Sequence, residues 1–164
     1  AFCIAWFKVY HPLAFYAAYF SIRAKAFDLR IMTGDLKTQM TEFNRIKALD
    51  RAASPKDKDL MSALEVSMEM YQRGYRFVNV DIQHSEARRF SIKDGALLPP
   101  FLAIDSLGET VADAIVAERE ERPFTSLKDL QRRCKVSNTI IDLMKELKCC
   151  GELPEDEQMS LFGA

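Results

Sequence analysis

Pro99-Pro100-Phe101-Leu102-Ala103-Ile104-Asp105-Ser106-Leu107-Gly108-Glu109-Thr110-Val111-Ala112-Asp113-Ala114-Ile115-Val116-Ala117-Glu118 is the stretch on which the fold turns. Pro99–Ile104 is apolar and compact enough for one short helix. Asp105–Gly108 is a tight connection. From Glu109, Val111, Ala112, Ile115 and Val116 recur at helical spacing, which predicts an amphipathic helix with that face inward. A glycine permits a backbone turn that exposes amide N–H groups at the start of the second helix. Those groups, aided by the helix dipole, can donate to a phosphate oxygen. The plainer alternative is an ordinary αα-hairpin that only packs.

A second helical pair follows at once. Ser126 with Asp129 caps a helix running through Arg133, and Lys135-Val136-Ser137 makes a turn. Ser137 then caps a last helix bearing Ile140, Ile141, Met144 and Leu147. Two such pairs in succession resemble the doubled helix-hairpin-helix arrangement found across DNA enzymes, whose hairpin usually carries two glycines around an aliphatic residue. Leu107 and Gly108 keep the aliphatic residue and the second glycine; Ser106 stands in the first glycine's place, which is expected to weaken phosphate affinity. Recognition of this type reads backbone and is indifferent to base sequence. Arg132, Arg133 and Lys135 lie at the second turn, where they either touch a backbone or form a solvated surface.

The chain has 164 residues, enough for one domain or two small ones. Its net charge of -1 excludes a strongly basic protein, so nucleic-acid contact must come from local patches or backbone groups. The cysteines Cys3, Cys134, Cys149 and Cys150 form no CxxC pair and stand far from His11 and His84, so no metal site is expected. With neither a signal peptide nor a disulfide framework visible, a reducing cytoplasm is the expected compartment.

Upstream, the sequence reads as helices. Ala1–Phe7 and Leu13–Phe20 are apolar and aromatic, but Lys8, His11 and Pro12 interrupt them too early for a membrane span. A buried helical pair joined near Tyr10-His11 and ending around Arg23 is expected. The opening Ala1-Phe2-Cys3, already inside an apolar run, suggests a fragment of something larger. Leu36, Met40, Phe43, Ile46 and Leu49 share one helix face. Ser54-Pro55 with Asp57 predicts a capping box opening the next helix. Its inward face is read as Leu60, Leu64, Met68 and Tyr71, with Val66 and Met70 at the edges and Gly74 past the end. Beyond Gly74 an extended run leads to a hairpin of Arg89–Lys93 and Ala96–Leu98 around Asp94-Gly95. His84 and Ser85 between them have no interpretable acidic partner, so no triad is expected.

The end of the chain is distinct. After the acidic run Pro154–Glu157 come Gln158-Met159-Ser160-Leu161-Phe162. The pentapeptide resembles the bacterial sliding-clamp-binding motif, a polar anchor followed by a bulky apolar pair. Burying Leu161 and Phe162 would be worth roughly 1.5–3 kcal/mol each. The alternative is a tail that folds back or frays.

Several segments resemble one family in its own order. They are Trp6-Phe-Lys8, His11–Arg23, Leu64-Glu-Val66, Met68-Glu-Met70, Arg73-Gly74, Leu98-Pro-Pro-Phe101, the Leu107-Gly108 hairpin, Phe124-Thr-Ser126 with Asp129-Leu130, and the terminal pentapeptide. The resemblance is to the C-terminal end of the PolC-type alpha subunit of bacterial DNA polymerase III, across essentially the whole chain. It implies a mainly α fold with a small β hairpin. Residues 1–74 would be the end of the polymerase fingers, 75–151 a small β element plus a tandem helix-hairpin-helix DNA-binding region, and 152–164 a flexible clamp-binding tail. The implied DNA contacts are Ser106, Leu107, Gly108, Glu109, Thr110, Arg132, Arg133 and Lys135; the implied clamp contacts are Gln158, Met159, Ser160, Leu161 and Phe162. No catalytic residue, metal ligand or cofactor is assigned here. The palm active site, with its Mg²⁺, would lie upstream, leaving the fragment inactive alone. The implied partners are double-stranded DNA, the sliding clamp, and the rest of the polymerase chain and replisome, without a membrane. Competing readings are a standalone repair adaptor bridging DNA and clamp, and a nuclease or glycosylase domain using the same hairpins.

Overall fold

The computed structural model describes residues 2–156, with side chains from Ile4 onward, so the pentapeptide Gln158–Phe162 lies outside the described residues. Helices α1 (Phe2–Tyr10) and α2 (Pro12–Ile22) meet at His11, with Pro12 opening α2 where its missing N–H costs nothing. α3 (Leu29–Met32) is capped by Asp28 and α4 (Leu36–Leu49) by Asp35. The predicted capping box is present: Ser54 and Asp57 exchange side-chain and backbone hydrogen bonds at the start of α5 (Pro55–Gln72). β1 (Ser91–Lys93) and β2 (Ala96–Leu98) pair antiparallel, and Asp94 and Gly95 both take positive φ (50° and 75°), as a type I′ turn requires. The extended run after Gly74 lies along β2, with the Val78 amide donating to the Leu97 carbonyl and the Leu97 amide to the Arg76 carbonyl. α6 (Glu109–Glu121), α7 (Leu127–Cys134) and α8 (Asn138–Glu146) complete the described chain.

Two apolar cores hold these elements. The first gathers Tyr16, Phe20, Met32, Ile46, Leu60, Leu64 and Met70 with Phe77 and Leu97; the second gathers Leu29, Val80, Ile82, Phe101, Leu107, Ile115, Leu130, Val136 and Met144. Phe27 packs against both. Its ring lies 6.2 Å from Phe20, 5.2 Å from Phe77 and 5.0 Å from Phe90, within the range of favourable aromatic pairing. The boundary drawn at residue 74 from sequence is therefore crossed by continuous packing.

Several expectations change. The first helical pair is buried only on one side. Tyr16 and Phe20 are interior, while Ile4, Trp6, Phe7, Val9, Tyr10 and Ile22 are exposed. Lys8 pairs with Glu69 of α5 at 2.7 Å, which fixes the covered side of α1 and leaves the aromatic side outward. On α4 the inward position is Gln39 and not Met40. The Gln39 amide donates to the Met32 carbonyl and accepts from the Ser67 hydroxyl, so a buried polar pair takes the place of Met40 beside the inward Phe43 and Ile46, while Leu49 is exposed. On α5, Ala63, Ser67 and Met70 are buried and Met68 is only partly so. Residues 153–156, assigned to the tail, run back against α7 and α8.

An exposed apolar patch of this kind drives association. Trp6→Glu combined with Ile22→Lys is expected to shift the chain toward monomer in sedimentation velocity while leaving the melting temperature unchanged.

Candidate nucleic-acid interface

The first hairpin departs from two full helices. Its leading element is a single 3₁₀ turn at Phe101–Ala103. The amides of Phe101 and Leu102 donate to the Glu86 and Ala87 carbonyls, those of Ala103 and Ile104 close i→i−3 bonds to Pro100 and Phe101, and Ile104 is already extended at φ -81° and ψ 122°, so the element remains one 3₁₀ turn. Ser106 then takes φ 64°, the left-handed conformation that favours glycine, which explains why the motif usually has glycine there. Leu107 is buried, 6% exposed, and Gly108 caps α6 with φ -73° and ψ 156°.

The second hairpin repeats this backbone residue for residue. Lys135 is left-handed at φ 54°, Val136 is 3% exposed, and Ser137 caps α8 with φ -70° and ψ 155°. Leu107 and Val136 sit in the same core. Both helices that follow thus begin at the surface. Their first-turn amides at Glu109, Thr110, Asn138 and Thr139 have no intrahelical partner and no acceptor among the described residues. α7 differs, because the carbonyls of Pro154 and Glu155 already occupy its Leu127 and Lys128 amides.

Gly108 does not need to be glycine for the fold. Its φ is ordinary, and a Cβ built there meets nothing within 4 Å. The turn that the sequence reading attributed to this glycine is made instead by the left-handed Ser106.

The charges near the turns are largely committed to each other. Arg88, which the sequence reading missed, bonds Glu109 at 2.7 Å and Asp113 at 2.5 Å, neutralising carboxylates at the start of α6. The Arg88 hydrogen bond holds the Asp113 carboxyl below its ordinary pKa. Nothing in local spacing links Arg88 to α6. In the second pair the Asp129 side chain is fully buried and accepts from Arg122 (3.3 Å), Arg132 (2.9 Å), Arg133 (3.4 Å) and the Thr125 amide (3.3 Å). Arg133 also bonds Glu118 and the Arg122 carbonyl and lies over the Phe124 ring at 4.8 Å. Its side chain is 11% exposed, so it is a structural residue of the α6–α7 junction. Arg132 is 71% exposed, and Lys135 is exposed with no ion pair among the described residues.

His84 does have an acidic partner. Its Nδ1 lies 2.7 Å from Asp81, which also accepts from Lys93 at 2.7 Å. Ser85 is turned away; its hydroxyl donates to the Pro99 carbonyl and accepts from the Asp81 amide, so no triad forms. Among the described residues no three His, Cys, Asp or Glu side chains gather as a metal site would need, and no helix is long and apolar enough to cross a membrane.

Two hairpins built on one left-handed-step, buried-aliphatic, helix-cap pattern define a tandem helix-hairpin-helix protein. The helix-hairpin-helix motif family matches residues 74–158, and the chain belongs to that family. Its similarity extends further, to DNA polymerase III of the PolC type. It is 44% identical to that of Caldanaerobacter subterraneus subsp. tengcongensis over 162 residues (99% of this chain and 12% of the relative). It is 46% identical to that of Streptococcus suis over 162 residues (97% of this chain and 11% of the relative). The chain thus spans about an eighth of the length of the curated relatives it matches.

Burial alone would raise the Asp129 pKa, but the hydrogen bonds from Arg132, Thr125 and Arg133 outweigh it and lower it. The stability this contributes is present above the unfolded carboxylate pKa of about 3.9 and is lost as pH falls through the lower folded value. Asp129→Asn should cost about 2 kcal/mol at neutral pH in urea denaturation, since it removes the buried carboxylate that accepts from three guanidinium groups and the Thr125 amide. It should also flatten the stability profile below pH 4.

Proposed function

We propose that this chain is the duplex-gripping C-terminal part of a PolC-type replicative DNA polymerase, acting in the cytoplasm and tethered to the sliding clamp through Gln158–Phe162. The repeated hairpin backbone, in a chain similar to these polymerases along almost its whole length, carries the reading. The two surface helix starts each offer amides to one phosphate, Lys135 and Arg132 add positive charge at the second turn, and Arg88 offsets Glu109 at the first. Contacts of this kind ignore base sequence and allow sliding. The similarity runs through residues 1–74 as well as the hairpins, which favours a polymerase segment over a standalone repair adaptor.

Nucleotidyl transfer belongs, on this reading, to the rest of the polymerase chain. Divalent metal there supplies the charge stabilisation of phosphoryl transfer. The carboxylates beside the hairpins, Glu109, Asp113 and Asp129, are bound to arginine and do not fit that role. The chain is accordingly expected to be inert with nucleotides and Mg²⁺ in a primer-extension assay.

Fluorescence anisotropy with duplex DNA should give micromolar or weaker, sequence-independent binding that falls as salt rises. Gly108→Ala should weaken it several-fold while costing at most about 1 kcal/mol of stability, because the added methyl group meets nothing in the fold but occupies the phosphate's approach. Tight, salt-insensitive binding to one sequence would overturn the reading. For the clamp, Leu161→Ala with Phe162→Ala should remove several kcal/mol of affinity in calorimetry.

A further inference from the structure

Residues 86–90 are stitched between the first hairpin and the end of α2. The amides of Phe101 and Leu102, in the leading turn of that hairpin, donate to the Glu86 and Ala87 carbonyls at 2.9 and 3.1 Å. On the other side the Phe90 amide donates to the Ser21 hydroxyl of α2 at 2.9 Å. The Phe90 ring lies 5.7 Å from Phe20 and 5.0 Å from Phe27. The connection between α2 and α3 is thereby brought up to the hairpin turn. An open groove of about 440 Å³ remains between them, with Lys25, Arg88, Asp105, Ser106 and Leu107 among its lining residues.

The groove is furnished with donors. Lys25 is exposed and forms no ion pair among the described residues. Arg88 has five N–H groups and commits three of them to Glu109 and Asp113, which leaves two. The Ser106 hydroxyl is exposed beside them. Arg23 and Arg89, on the same two segments, are also exposed and form no ion pair among the described residues. Asp105 is the only carboxylate lining the groove, while Glu109 and Asp113 are already held by Arg88. Ser106 and Leu107 belong to the hairpin itself, so the groove runs on into the start of α6.

We infer that this groove seats a backbone phosphate of the same duplex that the hairpins grip, held by Lys25 and the two remaining Arg88 N–H groups. The inference rests on the duplex reading above. It adds a contact of a different kind. A helix-start amide offers a partial charge, whereas a lysine at a phosphate releases a condensed counterion. Lys25 also stands two residues before Phe27, which packs against both cores, so the contact ties the duplex to the helical half as well as to the hairpins.

Salt titration of duplex binding by the whole chain tests this, with fluorescence anisotropy as the readout. Lys25→Ala is compared with Lys56→Ala, which removes the same charge from an exposed position at the start of α5, outside the groove. Lys25→Ala should bind several-fold more weakly and lower the slope of log affinity against log salt by about one. Lys56→Ala should leave affinity and slope close to those of the unaltered chain. Asp105→Asn should act in the opposite sense and bind several-fold more tightly. Melting temperatures should stay unchanged in all three, because none of these side chains is buried or in an ion pair among the described residues. Lys25→Ala binding no more weakly than Lys56→Ala, or Asp105→Asn binding no more tightly than the unaltered chain, overturns the groove site and leaves the hairpin reading standing. No duplex binding by the unaltered chain overturns both.

Discussion

The left-handed step at Ser106 and at Lys135 is the constraint on which the second half of the structure depends. For residues with a Cβ that conformation costs roughly 1–2 kcal/mol. It persists because the next residue in each case, Leu107 or Val136, is driven into the core, a burial worth roughly 1.5–3 kcal/mol. Reversing the chain in this way also sets the following residue in extended geometry as a helix cap. The start of α6 and of α8 must then face water. Because Leu107 and Val136 share one core, the two helix starts are fixed relative to one another as well as to their own hairpins.

Electrostatics then decide what those surfaces can do. A chain of net charge -1 cannot attract a polyanion as a whole. Its arginines near the hairpins are engaged internally, Arg88 with Glu109 and Asp113, and Arg133 with Asp129 and Glu118. What faces outward is amide dipoles, Lys135, and the exposed head of Arg132. Such a surface suits weak, register-free contact with a regular phosphate backbone, where speed of release matters as much as grip.

Local rules were the legible part of the sequence. The Ser54–Asp57 capping box, the Asp94-Gly95 turn, the Ser126 and Ser137 caps and the amphipathic α6 all act within about four residues, so their signals survive in the chain alone. What was not legible depends on partners brought close by folding. Gln39 is inward because Met32 and Ser67 offer hydrogen bonds, which no hydrophobic stripe announces. Asp81 reaches His84 because the intervening turn curls back, and Lys93 joins them from the hairpin. Arg133 looks like any other basic residue at a turn until Asp129, Glu118 and Phe124 enclose it. The short leading helix of the first hairpin is a single 3₁₀ turn, its Phe101 and Leu102 amides held by the Glu86 and Ala87 carbonyls from an earlier part of the chain. The candidate site was legible as a pair of turns and not as a set of side chains, since its pattern is carried by backbone geometry.

The aromatic junction links the grip to the rest of the molecule. Phe20 comes from α2, Phe27 from the connection to α3, Phe77 from the run beside β2, and Phe90 from the approach to β1; Phe20 and Phe77 lie 4.9 Å apart in an edge-to-face arrangement. These rings join the first core to the hairpin half, and Leu29 enters the second core three residues before Met32 enters the first. A load on the hairpins therefore passes through close-packed side chains into α2 and α5 without a flexible joint. On the proposed reading, displacement of duplex at the hairpins is carried to the helical segment as a rigid shift, because packed interiors yield little. On that same proposed reading, the coupling lets a backbone grip that recognises no sequence, and lets the duplex slide, still keep the product close to an active site elsewhere in the polymerase.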